Sequence, residues 1–581
     1  MGIKPVYILG AGGHAKVVMS TVQAAGGNVQ ALYDDDARKW GQAVLDVPIV
    51  GAIASVDAAA EAGALIALGN NATRKAVAER HPAVNEVIEY DEDEMFLHLR
   101  SGDSDRLLRA YRTAEKLVQD LNARGFDMVY NCTHSISSAM LFKMVNTKEI
   151  IGAHMSDDWQ FLLRGRWTNY FFTSVYQRLY SDINISDVFR NLMVDAPPVP
   201  GLALAITDED REEARAILSQ HGITQEDQLV CMQLGASDEP KRWPAEHFAD
   251  LAQRLASERR ARICLLGVKS EAPLGETFEK HAPNIACHLF GKTSVPQVAA
   301  ILERANLLVT NDTGTMHISA AVKCPILLLS VGYVHFRETG PYGEGHLAVE
   351  HRRDYMAPMS MTNAAIEDRA AIRPERVMAL LDLLPRLQQS ETLADSPEWA
   401  GLEVFQSRFA PDGFLEWYPV IQRLMTETDF LRMAYRNTWL RHLCPAIPED
   451  TVLDGIQRMA QCYTLESGEK IADWRDHWDP IFGQLEQTAR EGIEKTRALQ
   501  ACLQAGKSMA LAKQIVGDLM RIDEDTRLFA EMHEGCQPLI TIARFQRDNL
   551  EGADPLQLAE TTLRIYQDLA ERCAIIRGQF K

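Results

Sequence analysis

The 581 residues carry 60 Lys and Arg against 80 Asp and Glu, a formal charge of −20 that argues against nucleic acid as a partner. With 46% hydrophobic and 24% charged residues the chain has an ordinary globular composition, and its length exceeds a single core, suggesting about three to four domains. No run reaches the ~18 apolar residues of a membrane span and no secretory pattern opens the chain, so the expected location is cytoplasmic. The 10 cysteines include no Cys-x-x-Cys, which fits reduced thiols rather than disulfides or zinc.

At the N-terminus, Val6-Tyr7-Ile8-Leu9 followed by Gly10, Gly12, Gly13 and His14, then by Val17, Val18 and Val22, reads as strand, glycine turn and helix. A second strand ends at Tyr33 in Asp34, Asp35 and Asp36, carboxylates suited to ribose hydroxyls, and a third, at 65–68, runs into Gly69, Asn70, Asn71 and Arg74. With Pro48-Ile49-Val50-Gly51 between them, this set resembles the N-terminal nucleotide-sugar-binding domain of the sialic-acid O-acetyltransferase type of sugar acyltransferases. The resemblance implies a Rossmann-like subdomain over 1–82, with Gly10, Gly12, Gly13, Asp34, Asp35, Asn70 and Arg74 touching a second nucleotide-sugar. In that family a β-helix of hexapeptide repeats carries acetyl transfer, and no such repeat is visible here. The other reading is a Rossmann half-domain whose glycines serve only the turn.

Residues 83–205 are expected to complete an acceptor-side Rossmann-like domain. A helix bearing Leu117 and Leu121 precedes a strand at 126–131, with His134 and Ser135 at its end, and a further strand lies at 149–152. Arg164, Arg166 and Arg178, interleaved with Trp167, Tyr170 and Phe171, form a basic patch available to an anionic lipid surface. A core helix with snorkelling arginines is the favoured reading.

The stretch from Val230 to Glu350 is the most informative. Apolar runs at 229–232, 263–266, 307–310 and 325–330 are continuous rather than alternating, and helical segments separate them, so a parallel sheet covered on both faces is expected. Ligands of such sheets lie at the carboxyl ends of the strands. There the first run stops at Gly235-Ala236-Ser237 before Lys241-Arg242-Trp243-Pro244, the second at Gly267, and the third at Asn311-Asp312-Thr313-Gly314. Thr313 to His317 opens a helix directly after a strand, so its backbone N–H groups and dipole face an anion, Gly314 permits close approach, and Lys241 adds a mobile positive charge. Asp312 has an alternative role as an ordinary helix cap.

Together, Gly-Ala-Ser-x-x-x-Lys-Arg-Trp-Pro, Gly-Lys-Thr-Ser at 291–294, Asn-Asp-Thr-Gly-x-Met-His at 311–317 and Thr-Gly-Pro-Tyr-Gly at 339–343 closely resemble glycosyltransferase family 9, the heptosyltransferases. The likeness extends over about residues 83–385 and is densest from Val230 to Glu350. It implies an α/β GT-B fold of two Rossmann-like domains with parallel sheets, the second over 206–388. It also implies an ADP-heptose type of donor, inversion at the anomeric carbon, no catalytic metal and no cofactor beyond the donor. Residue by residue, it places Ser237 and Lys241 near the donor diphosphate, Glu271 near nucleoside or sugar hydroxyls, and Asp312, Thr313, Gly314 and His317 around diphosphate and sugar. Lys241 and Asp312 are the catalytic candidates on this side.

The family's expected general base is an Asp after the first strand. Here the turn reads Gly13-His14, and a histidine serves as a base near neutral pH, so His14 is the candidate; His134, Asp157 and Asp158 are weaker ones. The segment 354–359 holds methionines where relatives carry a cysteine cluster, and thioethers are poor ligands for zinc or ferrous iron. A helix from Arg373-Pro374 to about Leu384 closes the domain, and 390–396 is a polar linker.

Everything after the linker reads as helix, an all-α bundle over 397–581. Asp554, Pro555 and Gln557 make a helix start, and Leu556, Ala559, Leu563, Tyr566, Ala570 and Cys573 form a packing seam. Leu485, Ala489, Thr496, Leu499, Leu503, Ile515, Leu519 and Ile522 supply matching faces, with core favoured over a ligand pocket.

The expected function is an inverting glycosyltransferase acting on a protein or lipopolysaccharide acceptor. Oligomerisation through the helical domain and peripheral contact at the inner membrane are compatible with it. Two alternatives stand beside it: a non-catalytic nucleotide-sugar-binding scaffold or sensor and, less favoured, a sugar O-acyltransferase.

Overall fold

The structure is a computed structural model. It describes the backbone of strands within 6–66, residues 80, 87–88, 97–98 and 101, and residues 103–580 apart from 134, 194–200, 353–360, 383–392, 395, 449–450, 453–462, 464–467 and 507–508. Near the N-terminus β1 (Val6–Leu9) pairs in parallel with β5 (Gly63–Ile66). Strands β2 (Leu32–Tyr33) and β3 (Ala43–Val44) flank β4 (Val47–Gly51), in parallel and antiparallel senses respectively. The turn and strand-end residues expected to act here (Gly10, Gly12, Gly13, His14, Asp34, Asp35, Asn70 and Arg74) lie outside the described residues, as does His134.

Helix α1 (Ser104–Ala123) precedes β6 (Met128–Asn131), α2 (Ile136–Lys143), β7 (Glu149–Met155), β8 (Phe161–Arg164) and α3 (Arg166–Tyr176). β6 and β7 run parallel and β8 returns antiparallel. Gly152 has φ +103°, and a Cβ there would stand 2.1 Å from the carbonyl oxygen of Asn131, so only glycine lets these backbones meet. On α3, Trp167, Tyr170 and Phe171 are buried, while Arg164 pairs with Glu551 at 2.7 Å. The aromatic stretch is therefore core, with Arg164 at its rim. Asp157 pairs with Lys143 and Asp158 accepts from the Ser156 hydroxyl, placing both in a surface turn.

The next segment contains α4 (Ile185–Met193), α5 (Asp208–Gln220), β9 (Leu229–Gln233), α6 (Ala245–Arg259), β10 (Arg262–Leu266), α7 (Ala272–His281), β11 (Ala286–His288), α8 (Val295–Arg304) and β12 (Leu307–Thr310). It continues through α9 (Gly314–Ala321), β13 (Ile326–Leu329), α10 (Phe336–Thr339), β14 (Leu347–His351), α11 (Met361–Ala371) and α12 (Pro374–Asp382). The parallel strands are ordered β11-β10-β9-β12-β13-β14. The four continuous apolar runs are all strands of this sheet. Their burial on both faces explains their lack of alternation: Val230, Met232, Ile263, Leu265 and Val309 face one core, joined by Phe248, Leu251 and Leu255 of α6. Gly-Lys-Thr-Ser at 291–294 ends in the N-cap of α8, where Ser294 and Gln297 form a reciprocal capping box.

The residues after the polar linker are not all helical, contrary to the expectation above. β15 (Leu402–Phe409) and β16 (Leu415–Pro419) form an antiparallel hairpin that adds to the edge of the sheet, β15 pairing with β14. Pro411-Asp412-Gly413 turns the hairpin, with Gly413 at φ +80° and Asp412 accepting from the Phe414 N–H at 2.9 Å. Helices follow: α13 (Glu427–Leu443), α14 (Gly468–Gln504), α15 (Met509–Met532), α16 (Gln537–Asp548) and α17 (Pro555–Gly578). Asp554 caps α17 by accepting from the Leu556 N–H, and Pro555 takes the first helical position. Ala559, Tyr566, Ala570 and Cys573 are buried, as are Leu485, Ala489, Thr496, Leu499, Ile515, Leu519 and Ile522, so most of the seam is packed core. It is not core throughout: Leu499, Leu503, Leu519 and Ala559 also line a cavity of about 1210 Å³ among α14 to α17, with Met520 and Leu558 on its wall. No helix among the described residues is long and apolar enough to cross a membrane. The described cysteines are all free thiols.

Two compact units emerge, each discontinuous in sequence. One gathers Met1–Ala110, Ile183–Arg423 and Gln461–Tyr463, and the other Tyr111–Asp182, Leu424–Ala460 and Thr464–Lys581. Within the second, Asn549 accepts from the Leu163 N–H at 2.8 Å and donates to Asn169 at 2.9 Å, and Tyr170 packs edge-on against Trp439.

In the first unit His346 is buried, its Nδ1 has no hydrogen-bond partner, and burial lowers its pKa to about 4. An unfolded chain protonates this imidazole near 6.5, so between about pH 6.5 and 4 the unfolded state binds more protons and stability falls as pH falls. The urea midpoint of this unit is expected to drop steadily from pH 7 to 4.5, less steeply in His346→Gln. Equal slopes in the two proteins would show that His346 does not carry the effect.

Candidate active site

Successive strands spread outward from β9 in one direction, through β10 and β11, and from β12 in the other, through β13 and β14. Between β9 and β12 the winding reverses, and the crevice outside their carboxyl ends is where open α/β sheets bind ligands. The loop leaving β9 carries Gly235, Ala236 and exposed Ser237 into a short 3-10 turn, Glu239–Lys241. The loop leaving β12 carries Asn311, Asp312 and Thr313 into α9.

Asn311 is the hub of this crevice. It is fully buried, its amide donates to the carbonyls of Leu234 at 2.9 Å and Gly235 at 3.2 Å, and its oxygen accepts from the Trp243 N–H at 2.9 Å. Trp243, itself buried, sends its indole N–H to the Ile372 carbonyl at 2.7 Å. One side chain thus locks both loops to each other and aligns the turn bearing Lys241. Buried amides are retained where every donor and acceptor is matched.

With the loops so held, Lys241 Nζ lies 3.6 Å from Asp312 Oδ2, and both side chains are mostly shielded, at 18% and 16% exposure. Thr313 sits in extended conformation before α9 and makes no side-chain cap bond, while Gly314 is exposed. The start of α9 therefore sets the positive end of a helix dipole beside an ammonium, which suits a diphosphate. Half-buried His317 lies one turn into the same helix.

Glu271 lies at the other rim of the crevice. Its Oε2 accepts from Gln233 Nε2 and the Val268 N–H, both at 2.9 Å, and Thr315 Oγ1 donates to Gln233 Oε1 at 3.4 Å. A Cβ on Gly235 would stand 1.6 Å from Glu271 Oε1, and one on Gly267 would stand 2.5 Å from Oε2, so both glycines make room for this carboxylate. Glu271, Gln233 and Thr315 thereby link the ends of β10, β9 and β12.

The structure brings Lys241 and Asp312 into contact and sets Glu271, Thr313 and Gly314 at the ends of the same central strands. Ser237 is placed on the loop to Lys241. Asn311 and Gln233 were missed as site residues, although each is a polar amide ending an apolar run, a signal available in the sequence. The Thr-Gly-Pro-Tyr-Gly stretch is structural: Tyr342 is buried, its hydroxyl donates to Asp187 at 2.7 Å, and Arg190 donates to that hydroxyl at 2.7 Å. No group of three or more His, Cys, Asp or Glu suited to a metal occurs among the described residues, and 354–359 lies outside them.

Residues 114–365 match the family model glycosyltransferase family 9 (heptosyltransferase), and residues 5–81 match the PglD N-terminal domain. Lipooligosaccharide heptosyltransferase 2 of Haemophilus influenzae is 30% identical over 148 residues, 24% of this chain and 42% of that protein. Lipopolysaccharide heptosyltransferase 2 of Salmonella typhimurium is 29% identical over 122 residues, 20% of this chain and 35% of that protein. The chain spans less than half the length of these curated relatives. Among solved structures, a glycosyltransferase family 9 protein of Veillonella parvula aligns with TM-score 0.47 and 19% identity over 66% of this chain and 98% of that one. The ADP-heptose LPS heptosyltransferase II of E. coli aligns with TM-score 0.44 and 17% identity over 66% and 99%. This chain therefore carries a region similar to glycosyltransferase family 9, the heptosyltransferases, preceded by a region similar to the PglD N-terminal domain.

Proposed function

We propose that this protein is an inverting glycosyltransferase that moves a heptose-type sugar from a nucleotide diphosphate, of the ADP-heptose kind, to a hydroxyl of a protein or lipopolysaccharide acceptor. The observation that carries this reading is the pairing of Lys241 with Asp312 directly before the start of α9, at the switch point of a parallel sheet. The family match over 114–365 supports the same reaction class.

In this reading the anomeric C–O bond to the diphosphate breaks as the acceptor oxygen attacks from the opposite face. Negative charge grows on the departing diphosphate, where the Lys241 ammonium and the α9 dipole stabilise it more than they stabilise the bound donor. Asp312 orients the ammonium and accepts from sugar hydroxyls; Glu271 takes nucleoside or sugar hydroxyls. The acceptor proton goes to a base, for which His14 is the candidate. The reading includes a cytoplasmic location, and the added helical region favours a protein acceptor over a lipid core.

The test is to incubate the full chain with ADP-heptose and either lipopolysaccharide core or a bacterial surface protein, and to measure ADP release together with acceptor mass. Acceptor-dependent ADP release is expected. Tight ADP binding without transfer to either acceptor class would favour the scaffold or sensor, and absence of both would overturn the donor site.

A further inference from the structure

Lys241 has a third neighbour besides Asp312 and the start of α9. Its Nζ stands 4.7 Å from the ring centroid of Tyr333, on the loop that follows β13. The Tyr333 hydroxyl donates to Asp238, on the loop that follows β9. Asp238 also raises the phenol's pKa, chiefly through that hydrogen bond, which keeps the hydroxyl a donor. Three strand-end loops thus meet around one ammonium.

The backbone is built for this meeting. Gly332 has φ +73°, its N–H donates to the buried Asp368 carboxylate at 2.6 Å, and a Cβ there would lie 2.6 Å from the Pro240 carbonyl oxygen. No larger residue lets the Tyr333 loop press so closely on the turn that bears Lys241. From another side Arg369 donates to the carbonyls of Arg242 at 2.9 Å and Glu239 at 2.6 Å. With the turn held at both ends, the flexible four-carbon stem of Lys241 is the main freedom left.

Asp312 and Tyr333 restrain that stem differently. A carboxylate at 3.6 Å offsets part of the ammonium charge, whereas an aromatic face attracts the cation through its quadrupole and leaves its charge available to a phosphate. We propose that Tyr333 is a positioning residue for the donor diphosphate: its ring, tethered through its hydroxyl to Asp238, holds the Lys241 ammonium where the terminal phosphate of a nucleoside diphosphate docks. This rests on the donor-site reading of the crevice.

The test is calorimetric titration of the full chain with ADP and separately with AMP, in wild type, Tyr333→Phe and Tyr333→Leu. Tyr333→Leu is expected to weaken ADP about 3- to 30-fold and to leave AMP within about twofold, because only ADP carries the second phosphate. Tyr333→Phe keeps the ring and is expected to lose less than about threefold. Unchanged ADP affinity in Tyr333→Leu would overturn the proposal while leaving the donor site intact, and an equal loss for ADP and AMP would overturn it by showing general damage. A wild-type protein that binds neither nucleotide would overturn the donor-site reading and this proposal with it.

Discussion

Lys241→Ala is expected to lower kcat/KM for the nucleotide-sugar donor by about 10²- to 10³-fold, the loss typical of removing one preorganised charge partner from a developing anion. The ammonium is anchored by a turn that Asn311 and Arg369 hold by hydrogen bonds and that Gly332 packs against, so little reorganisation accompanies the reaction. The loss should fall on kcat more than on KM, since charge on the diphosphate grows as the glycosidic bond breaks. Lys241→Arg is expected to rescue poorly, because a planar guanidinium does not occupy the point between the Tyr333 ring and the Asp312 carboxylate that an ammonium fills. Steady-state donor kinetics at saturating acceptor make the measurement; a Lys241→Ala enzyme within threefold of wild type would mean that the diphosphate binds elsewhere.

Asp187→Ala is expected to destabilise the first unit by about 3–5 kcal/mol, as happens when one member of a buried ion pair is removed. Asp187 is fully buried and receives hydrogen bonds from Arg190, from Tyr342 at 2.7 Å and from the Leu415 N–H at 2.9 Å. Arg190 also donates to the Gly413 carbonyl at 3.2 Å, so the network ties α4 to the β15–β16 turn and to the stretch after α10. Burial, and then the Asp187 charge, pushes the Tyr342 phenol well above its ordinary pKa, so it stays a donor at every physiological pH. Without Asp187 a buried guanidinium loses its counter-charge, and the Tyr342 phenol and the Leu415 N–H lose their acceptor. Urea denaturation followed by tryptophan fluorescence would read the loss, and a midpoint unchanged from wild type would mean that water replaces the carboxylate at no cost.

The central strands and the residues at their ends were legible because a parallel sheet buried on both faces writes itself as unbroken apolar runs, each ending where polar or small residues begin. The start of α17 was legible for a similar local reason: Asp554 satisfies the Leu556 N–H two residues on, and Pro555 at the first helical position has no N–H to satisfy. The hairpin after the linker was misread although Pro411-Asp412-Gly413 is a turn sequence with a mechanism. β15 is buried along most of its length rather than on alternate residues, so it shows little period-two pattern, and its pairing with β14 crosses a wide gap in sequence.

What the residues alone determined is the set of chemical parts: parallel strands, a helix opening on Thr313-Gly314, a lysine after one strand and an aspartate after another. Periodicity, capping and backbone freedom depend on near neighbours in the chain, so they can be read in order. Only the tertiary structure decided that Lys241 meets Asp312, that Tyr333 lies against the ammonium, and that Asn311 rather than a charged group holds the crevice together. Those contacts follow from strand order: β12 sits beside β9 although two βα units separate them in sequence, and burial of both sheet faces is satisfied by the register that brings their carboxyl ends level.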